Sequence, residues 1–216
     1  MIRNLVVLML SAVMLSACAN GNDLDEPPVP LGRFVLGHNI VVAPELVKGP
    51  LSREADPEDF IAEMQKAIDA RFGRYDGDKI INMAVSLEGY VLAQPGVPIV
   101  FSPKSIIIIR VTLWDDARGV KLNQEPEQIT VFESFSADTL IGSGLTQSKE
   151  KQMRILTENA AKAIQTWMLK NPEWFEADPA LAAAAVAEAE AEAAAEAAAI
   201  KAAEEQSARE AAAAAN

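Results

Sequence analysis

The reactive side chains of this 216-residue chain come down to one cysteine, Cys18, and one histidine, His38. Zinc sites built from several Cys or His ligands are therefore excluded on residue count alone. A serine triad needs a single histidine and survives the count, with His38 as its base, but no Gly-x-Ser-x-Gly elbow accompanies it. Ser148-Lys149-Glu150-Lys151 has the Ser-x-x-Lys spacing of a nucleophile and its base at a helix start. Asp115-Asp116 and Asp76-Gly77-Asp78 could do acid–base or calcium chemistry. The second lacks the remainder of an EF-hand loop, and both suit turns. Gly142-Ser143-Gly144 could cradle an anion and serves equally well as a hinge. His38, on an apolar run, reads as a hydrogen-bonded structural histidine. These residues point to a chain with no catalytic residue, no metal and no cofactor.

Cys18 stands in a different setting. Arg3 gives a basic start, Leu5 to Leu15 is apolar apart from Ser11, and the small residues Ser16 and Ala17 precede the cysteine. A charged start, an apolar stretch of about 7–15 residues and a small-residue cleavage site make a secretory signal peptide. The run is shorter than the roughly 20 residues a spanning helix needs. Leu15-Ser16-Ala17-Cys18 resembles the lipobox of bacterial lipoproteins. That resemblance implies a diacylglycerol on the Cys18 thiol, cleavage before the cysteine and acylation of its new amine. Each buried methylene contributes about 0.8 kcal/mol, and two acyl chains already anchor stably. Ala19 follows, where an aspartate would imply retention in the inner membrane; the resemblance thus implies the outer membrane, facing the periplasm. With its thiol acylated, Cys18 offers no disulfide, metal ligand or nucleophile.

Removal of Met1–Ala17 takes Arg3 with it and moves the formal charge from −12 to −13. Such acidity lacks the basic footprint that phosphate backbones require, so nucleic acid is not an expected partner.

Residues 19–32 are polar and rich in proline and glycine, a composition that favours an extended tether over a packed core. Phe34 to Ala43 is β-branched and apolar and ends at Pro44, which predicts a strand. Asp56-Pro57-Glu58-Asp59 supplies an N-cap, a proline at the first helical position and acids in the first turn. Phe60, Ile61, Met64, Ala67, Ile68 and Phe72 then recur at helical spacing up to Gly73. Ile81, Met83, Val85 and Leu87 alternate with Asn82, Ala84, Ser86 and Glu88 in a strand over Lys79 to Leu92. Ser105 to Trp114 is a second long strand, with Ile107, Ile109, Val111 and Leu113 on one face and Ile106 and Ile108 on the other. Gln128 to Phe135 is a third, with Ile129, Val131 and Phe135 inward. A helix from about Thr146 to Lys170 carries Met153, Leu156, Ala160, Ile164, Trp167 and Met168, and Asn171-Pro172 stops it.

The order β-α-β-β-β-α, with two one-sided helices, predicts an α+β two-layer sandwich with about four strands. The first strand–helix–strand step becomes a right-handed crossover if those strands pair in parallel. Beyond Phe175, Asp178-Pro179 repeats the helix-start signature and alanine dominates, predicting one long Ala/Glu-rich helix. About 37 residues would reach some 55 Å. Glu188, Glu192 and Glu196 repel at i,i+4, whereas Glu205 and Arg209 attract, and no heptad seam marks a coiled coil. The organisation is thus a signal peptide over 1–17, a lipidated cysteine and flexible tether over 18–32, a globular domain over 33–175 and a helical tail over 176–216.

Two features suit contact better than chemistry. Ile99, Val100 and Phe101 form an apolar tip between prolines in the Gln94–Pro103 loop, unless they fold back on the core. Ile106, Ile108 and Phe132 share the outer sheet face, and exposed apolar patches commonly mark interaction sites. The ensemble resembles small α+β outer-membrane lipoproteins that serve envelope machines, such as lipopolysaccharide-assembly or ABC-transport auxiliary lipoproteins. It implies a non-enzymatic, membrane-anchored accessory module with an envelope protein as partner. A lipid- or small-ligand-binding lipoprotein is the alternative. A cell-wall hydrolase is the third reading, although the Ser-Asp-Asn and Lys-Thr-Gly motifs that accompany Ser-x-x-Lys in penicillin-binding proteins are absent.

Overall fold

The computed structural model describes residues 23–94, 105–133 and 148–214. Cys18, Ile99, Val100, Phe101, Phe135 and the Gly142–Gly144 break lie outside the described residues. The strands are β1 (Phe34–Val42), β2 (Val47–Lys48), β3 (Lys79–Val91), β4 (Ile106–Asp115), β5 (Val120–Lys121) and β6 (Glu127–Phe132). The helices are α1 (Pro57–Phe72), α2 (Lys149–Leu169) and α3 (Pro179–Ala214), with a 3-10 turn at Pro172–Trp174.

Each helix starts where local chemistry satisfies its first amides. The Asp56 carboxylate accepts from the Glu58 N–H ahead of α1, and the Ser148 hydroxyl accepts from the Lys151 N–H ahead of α2. Both are N-caps, a device that contributes about 0.5–2 kcal/mol.

The sheet is mixed. β1 runs parallel to β3, β3 antiparallel to β4, and β4 antiparallel to both β5 and β6. The short β2 follows β1 along the same side of β3, pairing Val47 with Gly89. Likewise β5 and β6 share the outer side of β4, one at Trp114–Asp115 and the other at Ile106–Val111. Six strands therefore occupy four positions, and the sequence missed only the two-residue pieces β2 and β5. Neither is long enough for a period-two pattern to show.

α1 and α2 pack against one another and against the same sheet face. Between them lies the core: Phe60, Met64, Ile68 and Phe72 of α1, Leu156, Ile164 and Met168 of α2, and the alternating Ile81, Met83, Val85, Ile107, Ile109, Val111 and Leu113. This is the two-layer α+β sandwich, with α3 added beside α2. Ala182 is buried, Ala185 and Val186 pack onto the core, and Lys162 of α2 and Lys170 just beyond its end pair with Glu192 and Glu190. From Ala197 onward, every α3 residue whose side chain is described is exposed.

The segment expected as a flexible tether makes specific contacts from Asp23 onward. Asp23 pairs with Arg71 of α1, whose guanidinium also donates to Gln165 Oε1 at 2.8 Å, and lies 3.6 Å from Lys162 of α2. Arg74 donates to the Glu26 carbonyl, and the Tyr75 hydroxyl donates to the Val29 carbonyl at 3.0 Å. Leu31 is buried, and the Arg33 N–H donates to the Phe175 carbonyl. Gly32 makes this closure possible. Its φ is +91°, and a Cβ there would sit 2.3 Å from the Phe175 oxygen. The polar composition of 19–32 concealed this strap because its fixed partners, Arg71, Arg74 and Tyr75, all lie far along the chain.

Candidate functional site

Among the described residues, no element covers the face of the sheet turned away from the helices. Directly opposed residues in neighbouring strands share a face, so the register assembles this surface row by row. Phe132, Ile106 and Val91 form one row; Thr130, Ile108, Gly89 and Val47 form the next. Gln128, Arg110, Ser86 and Val42 follow, then Thr112, Ala84 and Ile40. Phe132 is 54% exposed, Ile40 51% and Val47 64%, while Ile106 and Ile108 are half-buried by their neighbours. Gly89 has no side chain to lie between Ile108 and Val47, which leaves both accessible at the bulge beside Leu87.

The three expected contact residues on this sheet are thus brought together: Ile106 faces Phe132 directly, and Ile108 lies two residues along. Ile40, Val42 and Val47 enlarge the patch from β1 and β2, and sequence reasoning missed them. β1 alternates poorly because its register shifts between Leu36 and Asn39. The exposed positions of β1 could not be sorted from the core positions by period alone.

β6 is the outer strand along Ile106–Val111. The Glu133 N–H donates inward to Ser105 O at 2.9 Å, so by alternation the backbone groups of Gln128, Thr130 and Phe132 point outward. Outside them a groove of about 1070 Å³ separates β6 from α2 and α3. Its apolar lining comes from Ile129, Val131, Ala163, Trp167, Ala193 and Ala197. In an alanine-rich tail, Ala193 and Ala197 carried no signal that set them apart. Glu133, at the end of β6, is half-buried, and that desolvation raises its pKa despite Ser105 and Lys151.

The candidate chemical groups sit apart. Ser148 accepts the Lys151 N–H as a helix cap, which accounts for the Ser-x-x-Lys spacing. His38 is exposed at the β1 bulge, where its backbone N–H donates to Asn82 Oδ1 at 2.8 Å, and it is not packed as a core histidine. Asp115 is buried, and burial alone would raise its pKa. Hydrogen bonds from the Arg118 backbone and guanidinium, with the Arg118 and Lys79 charges, instead hold it below 3.8. It closes the β4–β5 turn. Asp78 pairs with Arg33, and Gly77 passes against the backbone of Arg33 and Phe34. Among the described residues no group of three or more His, Cys, Asp or Glu could hold a metal ion. No helix among them is long and apolar enough to cross a membrane.

Fold and surface together define an α+β two-layer domain with one sheet face open among the described residues. No family model matches the chain, and no curated protein does. Among solved structures it is similar to the PelC dodecamer subunit of Paraburkholderia phytofirmans, with 11% identity and a TM-score of 0.33 over 64% of this chain and 90% of that one. A DUF330 protein of Xanthomonas campestris gives 12% and 0.32 over 62% and 88%. A minor lipoprotein of Acinetobacter baumannii gives 15% and 0.28 over 65% and 95%. Likeness at this level transfers neither role nor assembly state to this chain.

Proposed function

We propose that this chain is a non-enzymatic lipoprotein of the bacterial envelope, anchored through Cys18 in the outer membrane and facing the periplasm. Its role is that of an accessory module that docks a protein partner of an assembly or transport machine. The anchor rests on Leu15-Ser16-Ala17-Cys18. The observation that carries the docking role is the uncovered sheet face, where Phe132, Ile106, Ile108, Ile40 and Val47 leave apolar area in water. Burying such area contributes about 25 cal/mol per Å².

A photo-crosslinking residue at Phe132 tests this in living cells. The expected result is one discrete adduct of constant mass, lost when Ile108→Asp is added and unaffected by Ser148→Ala. A smear of adducts, or an adduct indifferent to Ile108→Asp, overturns the docking role. Incorporation of labelled palmitate, abolished by Cys18→Ser, tests the anchor separately.

The groove between β6, α2 and α3 favours a second reading, binding of a lipid or small apolar ligand. Native mass spectrometry of the folded chain would then show a bound species that Ala163→Trp displaces.

A further inference from the structure

We propose that the strap orients this protein on its membrane, with the α1–α2 surface turned to the bilayer and the open sheet face held away from it. The inference rests on the Cys18 anchor and adds the geometry that the anchor imposes.

Asp23 lies over the seam between the two helices, paired with Arg71 of α1 and near Lys162 of α2. Leu24 lies along the same seam, where it lines a small cavity with Ala67 and Ala70 of α1 and Thr157 of α2. From there Glu26, Val29, Leu31 and Gly32 are held in turn by Arg74, Tyr75, the core and Phe175. The fixed part of the chain therefore begins near the middle of the helix layer, on the side opposite the open sheet face.

Five residue steps separate Asp23 from Cys18. At full extension of about 3.3–3.6 Å each, they reach about 18 Å. A chain running from the seam to the open face must first reach the domain's edge. Half of four strand positions at about 4.8 Å is about 10 Å sideways. It must then pass a helix layer of about 10–12 Å and the sheet beneath it, about 30 Å in all. The leash is too short to lay the open face on the bilayer. Without the strap, the additional residues 23–32 would permit it. The consequence is a division of labour: the helix seam faces lipid, and the sheet face meets its partner in the aqueous compartment.

The test uses the acylated chain in liposomes that carry a paramagnetic chelate on their headgroups. An azide-bearing amino acid replaces Lys66, on the exposed side of α1, or Thr130, on the open face, and receives a fluorophore. The expected result is several-fold stronger quenching at 66 than at 130. Asp23→Ala with Leu24→Gly should abolish the difference while the melting transition persists. Equal quenching with the strap intact, or stronger quenching at 130, overturns the proposal. Intact mass reports acylation independently. If Cys18 carries no acyl group, the anchor reading fails by itself. Coupling that sole thiol to a maleimide lipid then applies the same two outcomes to the strap.

Discussion

Glu133 and Asp23 illustrate opposite uses of a partly buried carboxylate. Glu133 loses water at the end of β6, and that desolvation places its folded pKa above the ordinary 4.5. Its ionised form therefore weakens the fold at neutral pH, and the penalty disappears below 4.5. Glu133→Gln should raise the melting temperature at pH 7 and match the parent near pH 4, as paired thermal melts would show. Asp23 is also desolvated, but the Arg71 hydrogen bond and the Arg71 and Lys162 charges outweigh this and lower its pKa below 3.8. Its contribution is present above 3.8 and lost as pH falls through the folded value. Asp23→Asn leaves the buried Arg71 without its carboxylate and should cost about 1–3 kcal/mol at pH 7. The gap to the parent should narrow below 3.8. Faster amide exchange over Leu24–Leu31 would report the same loss locally.

At the scale of elements, Ser148 separates the cap reading from the nucleophile reading. Ser148→Ala removes the acceptor for the Lys151 N–H and should cost about 0.5–2 kcal/mol, measured by chemical denaturation. Ser148→Asp, another good cap, should restore that stability while still lacking a hydroxyl. A protein whose cellular role survives both substitutions has no use for the serine as a nucleophile. α3 divides in the same testable way. Its buried and partly buried positions recur at Ala182, Ala185, Val186, Ala189, Glu192 and Glu196, and from Ala197 onward its described side chains are exposed. A chain ended after Ala197 should melt with its parent, whereas one ended after Leu181 should lose stability through Ala182 and Val186. Coincident melting of the two truncations would disprove that reading of α3.

For the whole molecule, the sequence disclosed what depends on local period and composition. The stripe Phe60–Met64–Ile68–Phe72 named α1, and the alternation from Ile81 to Leu87 named β3. Asp56 marked the start of α1, and Leu15-Ser16-Ala17-Cys18 carries the resemblance on which the proposed anchor rests. Ile106, Ile108 and Phe132 were legible as one face because period two sorts any regular strand. What tertiary structure alone decided lies between distant residues. The β1 bulge set Ile40 and Val42 outward, β2 brought Val47 beside Gly89, and α3 set alanines opposite β6. The strap depends on Asp23 meeting Arg71, 48 residues away, and on Gly32 passing under Phe175. No local pattern encodes such pairings, because their energy exists only once packing has closed the loops between them. The sequence by itself determined the elements, whose periods are local; the tertiary structure decided which sheet surface the described residues leave open and where the chain leaves the helix seam at Asp23.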